Sequence, residues 1–362
     1  MKVVLESSSL FFNNYTGIPF YILNLYQSLS QNNDIEPVLG FRLKKRFQKK
    51  SDLQIEILKN NHIWHQNNLV LSKQKIDVAH SLHTPFLNPS KTLKVATVHD
   101  LAVHLPEFKE YDFASEYFKN KRLHLFKEFS KKADALITVS QSTKADFLKF
   151  FDFPEEDIHV VPLAPSRFSI TKTTTDHPII LNKLNLKRKE YFLFVGGVSL
   201  RKNTLNLIKG YHQSASNIDT KLVITGKIQE SFQSEVIKYI VKHQLGEKVV
   251  ITDYLKKSEV QFLYEHAKAF LFPTFYEGFG IPILEAMHHG LPVLTSNTGA
   301  APESAGEHAV LVDPFSPESI GDGIEKVANI DQSLLAKAKK YAELFTWERT
   351  AKMTADVYKK YI

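Results

Sequence analysis

The sequence predicts an α/β protein built from two doubly wound parallel-sheet domains, and three observations lead to this prediction. Short apolar, β-branched runs alternate with helical stretches along the whole chain. The runs carry apolar residues on both faces, which is typical of strands that are buried in a parallel sheet and covered by helices. The chain has 362 residues, which is too many for one ordinary domain and about right for two.

Each half of the chain contributes about six predicted strands with helices between them. In the first half we predict strands at 3–5, 38–41, 76–80, 95–99, 135–139 and 158–161, and helices at 17–30, 117–132 and 142–151. In the second half we predict strands at 191–195, 221–225, 249–252, 269–272, 292–296 and 310–312, and helices at 204–214, 230–244, 257–266 and 281–289. In sheets of this kind, ligands bind outside the carboxyl ends of the strands.

A polar stretch separates the two halves. Pro162, Pro165 and Pro178 flank the threonine-rich residues 171–176, a composition typical of a linker at an exposed domain boundary. We therefore predict a first domain at 1–170, a second at 171–345, and a final helix at 346–362.

The composition excludes several classes of protein. Hydrophobic residues make up 43% of the chain and charged residues 23%, which is typical of a folded protein and not of a disordered one. The absence of cysteine excludes disulfide scaffolds, thiol catalysis and cysteine-ligated zinc or iron–sulfur centres. No apolar run approaches the ~18–20 residues that a membrane-spanning helix needs, and the first residues do not resemble a signal peptide. A cytoplasmic location is therefore predicted.

The net charge of +7 is mild, but it is concentrated in one segment. Residues 42–50 contain six basic side chains with Leu43 and Phe47 interleaved, and we call this stretch the basic segment. A charge run of this kind is usually a solvated face, yet basic and apolar residues together are also typical of a peripheral contact with an anionic membrane. RNP, KH and zinc-finger patterns are absent, so nucleic acid is not a predicted partner.

The most informative motif lies at 273–287, where a predicted buried strand passes into a helix. Gly278 and Gly280 relax the backbone at the turn, and Pro282 suits the first turn of a helix. Glu277 lies in the loop and Glu285 just inside the helix, so both carboxylates are predicted near a positive helix end that favours their ionised form. Ionised carboxylates accept hydrogen bonds from paired hydroxyls, as a sugar or a ribose presents them.

A second motif follows the first strand of the second half, at 195–203. Gly196 and Gly197 allow a tight turn and a close approach of the backbone to a ligand. Arg201 offers a fork for phosphate and Lys202 a point charge, and together they could neutralise a pyrophosphate leaving group. The spacing of a Walker loop is absent, and a solvated basic turn is the alternative interpretation.

Two weaker motifs lie in the first half. His99 follows a predicted strand and precedes Asp100, so it could bind a sugar hydroxyl or act as a base. His80 and His83 are further candidates at another strand end. The histidines do not form a convincing metal set, so no metal site is predicted. The loop at 13–18 carries Gly17 in front of the first helix, but it lacks the dinucleotide fingerprint.

Taken together, these motifs resemble the retaining glycosyltransferases of family 4. Glu277 and Glu285, separated by seven residues, resemble that family's EX7E motif. The other segments that resemble it are 196–203, 97–100, 138–140, 296–303 and the stretch around Trp347. The resemblance implies the GT-B fold, in which two Rossmann-like domains face each other across a cleft and the C-terminal helix crosses back to the first domain. The first domain would then be the acceptor side and the second the nucleotide-sugar side.

The resemblance also implies roles for single residues. Glu285 would bind the ribose hydroxyls, Glu277 the transferred sugar, and His99 the sugar near the reacting carbon, which makes His99 and Glu277 the predicted catalytic residues. The predicted donor-binding residues are Gly17, Gly197, Arg201, Lys202, Gly278, Phe279, Gly280, Ile281 and Glu285. The family works without a bound metal or cofactor and retains the anomeric configuration.

The function predicted on this basis is transfer of a hexose to a glycan or lipid-linked acceptor in surface polysaccharide or lipopolysaccharide synthesis. Mannose from GDP-mannose is the preferred donor, since family members with this Arg-Lys-Asn and His-Asp combination are often mannosyltransferases. A UDP-hexose transferase and a nucleotide-sugar epimerase or hydrolase on the same fold remain alternatives.

Overall fold

The structure is a computed structural model that describes residues 1–11, 17–66, 69–70, 75–86, 92–108, 115–165, 178–214, 220–228 and 230–362. It divides into two compact units. Unit 1 comprises Met1–Leu105, Ala114–Leu163 and Thr346–Ile362, and unit 2 comprises Pro106–Phe113 and Ala164–Phe345. The boundary predicted near residue 170 and its linker lie outside the described residues and stay predictions.

Unit 1 contains a sheet of eight described strands. They are β1 (Lys2–Glu6), β2 (Glu36–Arg42), β3 (His62–Gln66), β4 (Leu69–Val70), β5 (Val78–Ser81), β6 (Leu93–Val98), β7 (Ala135–Thr138) and β8 (Ile158–Val160). Their spatial order is β4-β3-β2-β1-β5-β6-β7-β8, and all pairs are parallel except the edge pair β3–β4. The order reverses direction at β1, which lies between β2 and β5.

Unit 2 contains a fully parallel sheet of six described strands. They are β9 (Tyr191–Val195), β10 (Lys221–Thr225), β11 (Val249–Thr252), β12 (Ala269–Phe272), β13 (Val293–Ser296) and β14 (Val310–Val312). Their order is β11-β10-β9-β12-β13-β14, so the direction reverses between β9 and β12. β9 and β12 are almost entirely buried, which explains why they appear in the sequence as apolar runs.

Helices alternate with the strands in both units. They are α1 (Ile18–Leu29), α2 (Asp52–Ile57), α3 (Glu116–Lys132), α4 (Gln141–Phe150), α5 (Pro178–Lys183), α6 (Thr204–Ser214), α7 (Glu230–Lys242), α8 (Lys257–His266), α9 (Ile281–His288), α10 (Ala301–Ala305), α11 (Pro317–Ala328), α12 (Gln332–Ala342) and α13 (Trp347–Tyr361). Unit 1 contains α1–α4 and α13, and unit 2 contains the rest. No helix in the described part of the chain is both long and apolar enough to span a bilayer.

The structure differs from the predicted elements at a few places. β3 and β4 were not predicted. β3 lies next to the two-residue edge strand β4, and most of its side chains are only partly buried. Its sequence therefore contains histidines and lacks the apolar run by which the other strands were recognised. β6 ends at Val98, so His99 lies in the loop that follows and not in the strand.

Helix α13 is packed into unit 1. The Trp347 ring lies against Phe20 and Tyr21 of α1, with ring centroids 6.1 and 5.9 Å apart. Further along the helix, the Thr350 hydroxyl donates to the carbonyl of Pro162 at 2.8 Å. The Tyr358 hydroxyl lies 2.6 Å from Nδ1 of His80, a buried histidine of β5. The last residues of the chain thus complete the core of unit 1.

Candidate functional site

The candidate site of unit 2 lies where two loops leave neighbouring strands. β9 and β12 pair in parallel and flank the point where the strand order reverses. The loops that follow these strands therefore start side by side at the carboxyl edge of the sheet, where ligands bind in doubly wound folds. These loops contain the second motif and the Glu277 motif, respectively.

The loop after β9 requires glycine at one position. Gly197 has a φ of 78°, and a Cβ there would lie 2.0 Å from the carbonyl oxygen of Lys227. Any other side chain would collide with this neighbouring backbone, so the close approach of the two loops depends on Gly197. The tight turn brings Arg201 and Lys202 towards the loop after β12.

Arg201, Lys202 and Glu277 converge at this place. Lys202 Nζ lies 2.8 Å from Glu277 Oε1, and Arg201 Nη1 lies 3.2 Å from the same oxygen. The side chains of Lys202 and Glu277 are mostly buried, with 16% and 12% of their surface exposed, whereas Arg201 is 37% exposed. Two cations thus converge on one carboxylate, and a guanidinium beside an ammonium is a combination that suits an anionic ligand.

Backbone contacts hold this arrangement in place. Arg201 Nη1 also donates to the carbonyl of Tyr276 at 3.0 Å, and the Phe275 amide donates to the carbonyl of Arg201 at 3.2 Å. Asn203 is buried, and its Nδ2 donates to the carbonyls of Pro273 at 2.8 Å and Pro314 at 2.6 Å. The cations therefore belong to a fixed turn and not to a solvated one, which disfavours the alternative interpretation of this motif.

The Glu277 loop passes into α9 as its sequence predicts. Gly280 is the N-cap with a φ of 107°, and Ile281 and Pro282 form the first turn. A Cβ at Gly280 would lie 2.9 Å from Cδ1 of Ile283, so both its backbone angle and its surroundings favour glycine. Gly278 precedes Phe279, which is buried against the ring of Phe345 at 5.9 Å.

Glu285 lies further along α9 than the helix-end argument assumes. It is the fifth residue of the helix, in the second turn, where the field of the helix end is weaker than in the first. Its Oε2 instead accepts a hydrogen bond from the Tyr264 hydroxyl at 3.3 Å. Burial, together with the charge of Glu285, raises the pKa of Tyr264 well above its usual value, so the phenol stays protonated as a donor. Sequence reasoning missed Tyr264, since nothing local on α8 indicates this contact.

In unit 1, His99 is held in one orientation by its neighbours. Its Nε2 lies 3.0 Å from the carbonyl oxygen of Leu82, and its ring lies edge-on to Tyr21 with centroids 4.8 Å apart. Because a carbonyl only accepts, Nε2 carries the proton and Nδ1 is an acceptor. Burial lowers the pKa of His99 to about 4, so the ring is neutral at physiological pH. A weakly basic imidazole suits a hydrogen bond to a hydroxyl better than proton abstraction.

The other two histidine candidates have structural contacts. Nε2 of His80 lies 2.8 Å from Thr97 Oγ1, and its Nδ1 is the partner of Tyr358. Nδ1 of His83 lies 3.0 Å from Nη1 of Arg122. Burial lowers the pKa of each of these two histidines to about 3.

Gly17 has a φ of 45° and is the N-cap of α1, but most of its loop, residues 12–16, lies outside the described residues. Within the described ranges, no three His, Asp or Glu side chains are grouped as a metal site would need.

Known proteins resemble this chain in sequence and fold. The O-antigen chain mannosyltransferase B of Escherichia coli is 28% identical over 272 residues, which are 73% of this chain and 70% of that protein. The serotype-specific mannosyltransferase WbdA of Escherichia coli is 26% identical over 275 residues, 74% of this chain, but the match spans only 33% of that protein. The structure of Anabaena HepE in complex with UDP and glucose superposes with a TM-score of 0.72 at 16% identity, covering 99% of this chain and 100% of HepE. This likeness confirms the predicted fold of two doubly wound α/β domains.

Two family models match the chain, one in each half. Residues 176–345 match the model for glycosyl transferases group 1. Residues 32–164 match the model for glycosyltransferase family 4. Together these matches cover most of the chain and confirm the family that the motifs resemble. The chain belongs to the glycosyltransferases of group 1 and family 4.

Proposed function

We propose that this glycosyltransferase transfers mannose from GDP-mannose to a glycan or lipid-linked acceptor in the synthesis of O-antigen or a related surface polysaccharide. The names of two relatives support mannose, and the name of one of them also supports O-antigen synthesis. The observation that carries the proposal is the convergence of Arg201 and Lys202 on Glu277 between two strand ends of unit 2.

The chemistry of this convergence fits a nucleotide diphosphate leaving group. Arg201 and Lys202 would bind the donor phosphates and stabilise the negative charge that develops as the glycosidic bond breaks. Glu277, adjacent to both cations, would accept hydrogen bonds from hydroxyls of the transferred sugar. Glu285, held by Tyr264, would accept hydrogen bonds from the ribose.

The acceptor belongs to unit 1 in this proposal, together with His99. The neutral ring offers Nδ1 as an acceptor for a substrate hydroxyl, because Nε2 is engaged by Leu82. We also propose that transfer retains the anomeric configuration and needs no bound metal, as the resemblance to the family implies. Product stereochemistry and activity in the presence of a chelator test these two points.

The donor proposal predicts selective stabilisation by one nucleotide. In a thermal-shift panel of GDP, UDP, ADP and GDP-mannose, we expect GDP and GDP-mannose to raise the melting temperature most, because only ligands that bind the native state do so. Glu285→Gln removes a charged acceptor for ribose and should weaken GDP binding by about 1.5–3 kcal/mol, or roughly 10- to 150-fold in Kd.

Glu247→Gln is the matched control, since Glu247 is an exposed carboxylate of the same unit. A larger increase in melting temperature with UDP would indicate that the donor is a UDP-linked hexose and not GDP-mannose. Release of free sugar at full rate without acceptor would favour the hydrolase alternative. If no nucleotide shifts the melting temperature, the proposed donor site is wrong.

We also propose that the basic segment touches an anionic membrane. Phe47 is 81% exposed, and Leu53 and Ile55 of the following α2 are 47% and 51% exposed. Exposed apolar side chains among lysines and arginines are typical of interfacial segments, in which each basic residue near the surface adds about 1 kcal/mol.

Sedimentation with vesicles tests this contact. Wild type should sediment with vesicles of phosphatidylglycerol but not of phosphatidylcholine, and the double variant Lys49→Glu/Lys50→Glu should stay in the supernatant. Lys127→Glu changes an exposed lysine on α3 by the same charge per residue and serves as the control. Equal sedimentation of wild type and the double variant would rule out the contact.

A further inference from the structure

Unit 1 contains a cavity of about 580 Å³ at the carboxyl edge of its sheet. Its lining comes from the ends of two adjacent parallel strands, with Arg42 closing β2 and His65 near the end of β3, and from the loop after β5 that carries Phe86. Glu6 is the last residue of β1, which lies between β2 and β5, and its carboxylate lies close to two of the lining side chains. The cavity therefore occupies the edge where doubly wound sheets bind ligands.

Buried polar atoms next to this cavity have no hydrogen-bond partner among the described residues. Glu6 Oε1 and both ring nitrogens of His65 are such atoms, although the two residues are only 1% and 4% exposed. Glu6 Oε1 lies 3.6 Å from His65 Nε2 and 3.8 Å from Arg42 Nε, too far for a hydrogen bond. Its second oxygen accepts a hydrogen bond from the hydroxyl of Thr84.

This set of atoms matches a hydroxyl group. A hydroxyl can donate to Glu6 Oε1 and at the same time accept from the protonated nitrogen of His65. Buried polar groups without partners are costly, so a ligand hydroxyl that reaches both atoms would gain binding energy.

The rim of the cavity is positively charged. Arg42 and Lys44 line it. The pKa of the neighbouring Lys45 is lowered, mainly by burial and further by the charges of Lys44 and Arg42. Leu43, Phe47, Pro85 and Phe86 provide apolar surface beside these charges. Ligand sites typically combine such apolar walls with a few convergent polar groups.

We propose that this cavity binds an acidic sugar, with its hydroxyls on Glu6 and His65 and its phosphate or carboxylate on Arg42 and Lys44. The inference rests on the proposed function, because it names the acceptor of the transferase as a glycan that carries an acidic residue. Phosphate and carboxylate share the required charge, and the experiment distinguishes them.

Ligand-observed NMR on the full chain tests the proposal with four soluble probes. The acidic probes are glucuronic acid and mannose 6-phosphate, and the neutral ones are glucose and mannose. We expect the better acidic sugar to bind about three- to fivefold more tightly than its neutral counterpart, as one partly exposed ion pair provides. Lys44→Gln should reduce this preference, because Arg42 alone would then face the anion, whereas Lys127→Gln should leave it unchanged.

Several results would overturn the inference. These are equal binding of acidic and neutral sugars, equal losses in Lys44→Gln and Lys127→Gln, and competition by inorganic phosphate as strong as by mannose 6-phosphate. His65→Gln should weaken both sugar types alike, since it removes a hydroxyl contact. Because Lys44 is exposed, its variant keeps the test decisive even if the His65 variant fails to fold.

Failure here is distinguishable from failure of the proposed function. Arg201→Ala should lose the GDP shift and keep acidic-sugar binding, because the cavity belongs entirely to unit 1. A GDP shift without acidic-sugar binding would refute the cavity proposal alone. Acidic-sugar binding without any nucleotide shift would refute the donor proposal alone.

Discussion

Arg201→Ala is expected to lower kcat by about 10²- to 10³-fold, the typical loss when one donor that stabilises transition-state charge is removed. Arg201 is the more exposed of the two cations that share Glu277, so it has room to reach a phosphate without leaving its turn. Lys202 alone would remain as a point charge, and the fork geometry that binds two phosphate oxygens would be lost.

Two comparisons separate this effect from unfolding. Arg201→Lys retains the charge without the fork and should recover only part of the rate, while Lys242→Ala removes an exposed lysine of unit 2 and should leave kcat unchanged. Far-UV circular dichroism should give the same melting temperature, within a few degrees, for all three variants and wild type. A fully active Arg201→Ala enzyme would show that the phosphates bind elsewhere.

Unit 1 is expected to lose stability as the pH falls from 7 to 5. The pKa values of His80 and His83 are lowered to about 3 and that of His99 to about 4, mainly by burial. The folded state therefore keeps these rings neutral, whereas in the unfolded chain the same histidines bind protons once the pH falls below their ordinary pKa of ~6.5. At pH 5 this lowers the free energy of unfolding by about 2 kcal/mol for the fully buried His80 and by less for His83 and His99, which are partly exposed. The three together contribute about 4 kcal/mol.

Tryptophan fluorescence measures this effect selectively. The chain contains two tryptophans, Trp64 and Trp347, and both belong to unit 1. Urea midpoints followed by this signal should be constant above pH 7 and should fall towards pH 5. Carboxylates with lowered pKa values, such as Asp77, lose their contribution only below about pH 4 and do not disturb this window.

Histidine variants identify the groups responsible. His80→Asn should be less stable at every pH, but its midpoint should depend less steeply on pH than that of wild type. His124→Asn changes an exposed histidine of α3 and should leave the slope as it is. A flat profile for wild type between pH 7 and 5 would contradict the assignment of neutral buried rings.

Local sequence was sufficient for most of the fold. All twelve predicted strands occur, because a strand that is covered on both faces must be apolar along its own length. β3 was missed for the opposite reason, since its polar His62 and His65 lie near a sheet edge. Helix α12 was missed although its signal is present, with Asp331 capping an alanine- and lysine-rich stretch.

The contacts within the site could not be predicted in the same way. The spacing of Glu277 and Glu285 suggested two acceptors, and Arg201 and Lys202 suggested two phosphate ligands. That Glu277 pairs with both cations depends on β9 and β12 being neighbours, a fact of sheet order that joins residues 75 and 76 positions apart. Glu6 and Tyr264 were missed because each is a single polar residue whose partners come from other strands or helices.

The position of α13 has a consequence for the order in which the protein is made. Unit 2 ends at Phe345, whereas unit 1 needs Trp347 and Tyr358 to cover Tyr21 and to pair with His80. A ribosome therefore releases every residue of unit 2 before it releases the last ones of unit 1. Unit 1 therefore stays incomplete, with Nδ1 of the buried His80 lacking its partner Tyr358, until α13 has been synthesised.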